Sequence, residues 1–150
     1  MKQTLFTKVL LDVAVCAISC DGHIDDLEIK VLHEIQEKSP YFVKDDLKES
    51  LNNSIGLALE SYEIFQKRVF SKLNEVSFDI IQELSILEIS FALINADNKI
   101  DESEIIFINN LRKCLSVEDF IIKERFGEVS YLEFNNSKKS EFNKPPEFEL

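Results

Sequence analysis

Apolar residues recur at three- and four-residue spacing along most of the chain, the period of helices with one covered face. Leu5, Phe6, Val9, Leu10, Val13, Cys16, Ala17 and Cys20 keep that spacing and predict a first helix ending near Cys20. Its apolar stripe is wide, as in a helix covered on more than one side. A second helix, about Asp26 to Lys38, carries Ile29, Leu32 and Ile35 and stops at Ser39-Pro40, because the residue before proline avoids the helical region. A short helix around Asp45 to Leu51 follows, then a longer one over Leu57 to Val76 with Ala58, Tyr62, Phe65, Val69 and Leu73 on its apolar face. Asp79 and Gln82 have capping-box spacing and open a helix through Ile80, Leu84, Leu87, Phe91 and Ile94. Asp101 to Leu115 and Glu118 to Phe126 complete the set, with Gly127 as the stop. The pattern predicts an all-α, single-domain bundle of about seven helices over residues 1–127. It predicts an extended or poorly ordered tail over 128–150.

One stretch of this pattern occurs twice. Asp21-Gly22-His23-Ile24-Asp25-Asp26-Leu27-Glu28 reappears as Asp97-Asn98-Lys99-Ile100-Asp101-Glu102-Ser103-Glu104. The shift of 76 positions also matches Leu11 with Leu87, Asp12 with Glu88, Ile18 with Ile94 and Ile29 with Ile105. The expectation is therefore two pseudo-symmetric halves, each built around a helix–acidic turn–helix corner. Cys16 and Cys20 align with Ala92 and Ala96, which suggests small-residue slots on a buried helix face.

Composition narrows the partners. The chain has 150 residues, 45% of them hydrophobic and 30% charged, enough for one well-filled core. A net charge of −11 argues against nucleic acid, which needs clustered Lys and Arg. It favours cations or basic partners. Three cysteines without framework spacing point to a reducing compartment, hence the cytoplasm. Met1-Lys2 followed by Val9 to Cys20 has some look of a signal peptide, but Asp12 interrupts the apolar stretch. The matching helix near Leu84 to Ala96 lies mid-chain, so the first helix reads as core. No apolar run reaches the roughly 18 residues of an integral membrane segment.

Most of the repeated motif is ordinary helix chemistry. Gly22 and Asn98 suit the left-handed position just past a helix end. Asp25 and Asp101 are placed to cap the next helix, with Glu28 and Glu104 completing reciprocal capping boxes. Asp21 and Asp97 resist that account. They fall at helix C-termini, where the dipole already concentrates negative charge, and call for a lysine or a bound cation. The pattern Asp-Gly-x-Ile-x-x-x-Glu equals the second half of an EF-hand loop. Ala17 and Ser19 stand where the first and third ligands belong, as do Leu93 and Asn95 in the second copy, so a complete twelve-residue loop is not expected. A looser oxygen site for calcium, magnesium or manganese is the expectation, from one corner or from both brought together. Its candidate ligands are Asp21, Asp25, Glu28, Asp97, Asp101 and Glu104.

The motif, its duplication and the helical setting resemble the TerB-like family, which includes tellurite-resistance TerB proteins and the N-terminal domain of DjlA-type co-chaperones. The family signature, Ala-Asp-Gly-x-[Ile/Val]-x-x-x-Glu, is matched at Cys20 to Glu28 with Cys in place of Ala. It is matched again at Ala96 to Glu104 with Asn98 in place of Gly. The resemblance covers roughly residues 5–125. It implies a compact bundle of about seven helices, and metal sensing or binding in stress response or docking within membrane-associated complexes. No catalysis is implied, and any functional acidic positions of the family fall on the six carboxylates named above.

Enzyme chemistry finds no foothold in the pattern, which lacks glycine-rich phosphate loops and dinucleotide fingerprints. Cys16, Cys20, His23 and His33 together suggest zinc, but the alignment of both cysteines with alanines favours packing. The second functional expectation is a protein-interaction module of adaptor or immunity type. It would take a basic partner on the acidic surface, with Tyr131, Phe134 and Phe148 of the tail as anchors.

Overall fold

Twelve of the fifteen residues of α1 (Leu5–Ser19) are buried, and a helix apolar nearly all round has to be enclosed by others. The computed structural model describes residues 5–22, 24–38, 44–96 and 99–133, with the backbone alone over 44–48. Around α1 pack α2 (Asp26–Lys38), α3 (Lys44–Glu60), α4 (Tyr62–Glu75), α5 (Ile80–Ile94) and α6 (Glu102–Lys113). α7 is Asp119–Phe126. Among the described residues the protein is all-α, seven helices without a strand.

The chain separates into two compact units, Met1–Leu115 and Ser116–Leu150. In the first, Leu10, Leu11, Ile18, Leu32, Leu87, Ile94, Phe107, Ile108 and Leu111 are fully enclosed. α5 meets α2 and α6 as well as α1. Aromatic pairs tie the ends together: Phe6 meets Phe78 edge-on at 5.5 Å, and Phe70 of α4 stacks on Phe107 of α6 at 6.2 Å. In the second unit, Glu118 precedes α7 and Ile122 is its buried residue. The helix ends at Gly127, whose φ of +78° lies in the region that favours glycine.

Helix ends follow local chemistry. The box predicted at Asp79 forms: its side chain accepts from the backbone N–H of Gln82 at 2.7 Å, and Gln82 accepts from that of Asp79 at 3.0 Å. Two boundaries differ from expectation: the short helix expected over Asp45 to Leu51 runs on to Glu60 as α3, and the helix expected from Leu57 begins instead at Tyr62 as α4. Ser61 makes the break. Its backbone is extended, with φ −156° and ψ 97°, and its hydroxyl accepts from the N–H of Ile64. An N-cap inside a continuous apolar period leaves the period unchanged, and so is hidden from it.

The repeat is visible in the helix boundaries. Shifted by 76 positions, α2 begins at the first residue of α6, and α1 begins one residue after the start of α5. Burial repeats at Leu11 and Leu87, Ile18 and Ile94, and Glu28 and Glu104, but not everywhere. Cys16 is fully buried while its match Ala92 is exposed, and Asp12 is half-buried while its match Glu88 is exposed. The small-residue slot therefore holds for α1 alone. α3 and α4 cover that face of α1: the Tyr62 hydroxyl donates to the Cys16 carbonyl at 3.2 Å, and Ser54 of α3 reaches Asp12.

Candidate functional site

The expected reciprocal box forms in full at the second acidic turn, while at the first Asp25 accepts from Leu27 rather than Glu28 and only the glutamate half forms. At the second, the Asp101 side chain accepts from the N–H of Glu104 at 2.9 Å, and Oε1 of Glu104 accepts from the N–H of Asp101 at 3.1 Å. At the first, Oε1 of Glu28 accepts from the N–H of Asp25 at 3.1 Å, and Asp25 Oδ1 accepts from the N–H of Leu27 at 2.8 Å. Gly22 supplies the turn between α1 and α2, with φ +95° and its N–H on the Ser19 carbonyl. A side chain at that φ would be strained. Both helix starts thus use an aspartate outside and a glutamate folded back.

Folding back has a consequence that capping alone does not require: the glutamates are drawn inside. Glu28 is 7% exposed and Glu104 is 6% exposed. Burial pushes the Glu28 carboxyl from the ordinary 4.5 up to about 8, against the lowering effect of the Asp25 N–H. The negative charges of Glu104, Asp21 and Asp25 push it further in the same direction. Repulsion between Glu28 and Glu104 links corners far apart in sequence. Both corners also act on one thiol. Cys20 is raised well above its ordinary range, first by burial, then by Glu104, Asp101, Asp21 and Glu28. Cys20 closes α1, its Sγ 3.4 Å from the Ala17 carbonyl. The acidic turns therefore converge around the C-terminal end of α1.

Asp21, Asp25 and Asp101 are exposed at the rim of this convergence, and Glu28 and Glu104 lie beneath it. Asp97, the sixth candidate ligand, lies outside the described residues, as do His23, Asn98, Phe134 and Phe148. Among the described residues, no group of three or more His, Cys, Asp and Glu donors stands close enough to hold a metal ion. A finished chelate is thus not formed by Asp21, Asp25, Glu28, Asp101 and Glu104 as they stand. Of the residues weighed for zinc, Cys16 is enclosed in the core, and burial raises its thiol as well, ahead of the Asp12 and Cys20 charges. His33 is exposed on α2. Tyr131, the one described tail anchor, sits half-buried in a turn beyond α7.

The motif alone points to electrostatic tension at Asp21 and Asp97; in the structure Glu28 carries it as well, and Asp97 lies outside the described residues. The available signal was the glutamate of the capping box: to reach back to the N-cap it must lie against the body of the protein, and two such boxes at one helix end bring like charges together. Cys20, which directly precedes the first motif, is where the charges of both corners meet.

Comparison with protein-family models, with curated proteins and with solved structures yields no match. Among the described residues, no helix is long and apolar enough to cross a membrane.

Proposed function

We propose that this is a non-enzymatic, TerB-like helical protein that binds or senses divalent cations where its two acidic corners converge, in a stress-response setting. One observation carries the reading: Glu28 is buried among like charges from its own corner and from Glu104 of the other. Like charges held together in a desolvated place cost free energy until a proton or a cation joins them. A hard cation such as calcium, magnesium or manganese takes carboxylate oxygens and keeps water for its remaining positions. It would therefore be held by carboxylates closing in from both turns, with Asp21 and Asp97 completing the oxygen set. Proton and cation compete for the same carboxylates, so affinity rises with pH toward 8.

The test is thermal unfolding of chelator-stripped protein with each of the three ions, beside an Asp21→Asn/Asp97→Asn variant. A shift in midpoint that saturates with ion concentration and is absent from the variant supports the reading. Equal shifts in both proteins remove the corners from it. An adaptor role, with the turns purely structural, is the second reading. It is favoured by the completeness of the second capping box, which accounts for Asp101 and Glu104 without any ligand.

A further inference from the structure

Against a net charge of −11, one part of the surface has the opposite sign. α4 turns Lys67, Arg68 and Lys72 outward, all exposed. Two depressions run along it and share Arg68 and Lys72. The first, about 350 Å³, lies between α1, α3 and α4, with Leu5, Val9, Leu57, Phe65 and Val69 among its walls. The second, about 470 Å³ and more open, continues past Ile64, Lys67 and Ser71 to Glu75. Leu5, Leu57 and Ile64 are 50%, 44% and 53% exposed, so apolar side chains line the first depression and one end of the second, and no described residue of this unit covers them.

The polar groups of the track divide into two sets. Lys8 is committed: its Nζ donates to Asp12 Oδ1 at 3.1 Å and to Ser54 Oγ at 3.3 Å, while the Ser54 hydroxyl donates to the same Asp12 oxygen at 2.6 Å. This network neutralises the one carboxylate in the first depression. Arg68 and Lys72 have no salt bridge within 4.0 Å among the described residues. An apolar depression with two cations on its rim that pair with no described carboxylate matches an amphipathic helix whose apolar edge lies in the groove and whose flanks carry carboxylates.

We propose that the groove between α1, α3 and α4 is a docking site for an acidic amphipathic helix of a partner protein, held by Arg68 and Lys72. This surface is separate from the acidic corners, and it selects a partner of opposite charge to the basic one that the overall composition favours. The same arrangement repels basic helices, which gives the face a sign of its own.

The experiment uses the full chain and a fluorescein-labelled peptide of about 18 residues, roughly five helical turns, with leucines at three- and four-residue spacing and glutamates between them. A matched peptide carries lysines in place of the glutamates. Anisotropy titrations are run with the parent protein and with Arg68→Glu/Lys72→Glu, whose exposed positions leave the core intact; Arg68→Gln/Lys72→Gln is the milder pair should the first fail to fold. The expected result is saturable binding of the glutamate peptide, weakened about tenfold or more by the charge-reversed pair and by added salt. The lysine peptide, drawn elsewhere on the acidic surface, is not weakened by those substitutions. No saturation of the glutamate peptide by about 0.5 mM, or equal affinity for parent and both variants, overturns the proposal. So does a parent dimer that dissociates in the variants, which would seat a second copy in the groove. Stronger retention on anionic phospholipid vesicles than on the peptide likewise overturns it, because the face would then serve a lipid surface.

Discussion

Glu28→Gln should stabilise the metal-free protein at neutral and alkaline pH and leave its stability in acid nearly unchanged. In the folded protein the Glu28 carboxyl is raised from 4.5 to about 8, first by burial and then by neighbouring negative charge. Below the lower value, both folded and unfolded chains hold the proton and no difference arises. Between the two values the unfolded chain releases it while the folded chain keeps it, so stability falls as pH rises. Above about 8 the folded protein ionises too, and the loss is complete. The full separation corresponds to about 5 kcal/mol, of which about 3 kcal/mol is felt at pH 7. Glutamine retains a carbonyl to accept the Asp25 N–H and carries no charge. The expected gain is therefore about 3 kcal/mol at pH 7, where the folded carboxyl still holds its proton, rising to about 5 kcal/mol near pH 9. Urea unfolding of parent and variant in chelator, followed by far-UV circular dichroism at about pH 4, 7 and 9, measures the difference directly. Other carboxylates titrate in both proteins and largely cancel. A variant less stable than its parent at pH 9 would refute the reasoning, since Glu28 would then act as an ordinary capping carboxylate.

Glu104→Gln should lower the Glu28 midpoint, because Glu104 is the largest of the neighbouring charges acting on it; NMR titration of the Glu28 side-chain carbonyl reads the shift. Asp101→Ala should cost about 1 kcal/mol through loss of its cap while leaving its N–H partner Glu104 to water, a change visible in the unfolding midpoint. Asp12→Ala should cost about 1–3 kcal/mol, since it strips the acceptor from Ser54, which is 1% exposed. Asp12→Asn, which keeps an acceptor, should recover most of that loss. If alanine and asparagine are equally destabilising, the Ser54 bond is not what holds α3 to α1.

Helix number, most boundaries and both capping boxes were legible in the chain because each depends on residues within a few positions of one another. Asp79 with Gln82 and Asp101 with Glu104 are examples. The Ser61 break was not legible, since Ala58, Tyr62 and Phe65 hold one apolar period across it. What escaped the sequence at the candidate site is long-range. The repulsion of Glu28 by Glu104 depends on α1 and α5 lying side by side with α2 and α6 at their ends. The groove depends on Ser54 meeting Lys8 and Asp12 across two helices. The repeat itself misled in one respect. Equal sequence suggested equal burial, yet α3 and α4 cover Cys16 and Asp12 of α1 while Ala92 and Glu88 of α5 stay exposed.

Calorimetric titration of the chelator-stripped parent with calcium, magnesium and manganese asks whether the converging corners make a cation-responsive site. Titrations at about pH 6 and 8 are compared with those of the Asp21→Asn/Asp97→Asn variant. Saturable binding tighter than about 100 μM, stronger at the higher pH and lost in a variant that remains helical, is the expected result. Absence of heat with every ion at both pH values, or binding that the variant keeps, would contradict the account and leave the paired turns as helix caps.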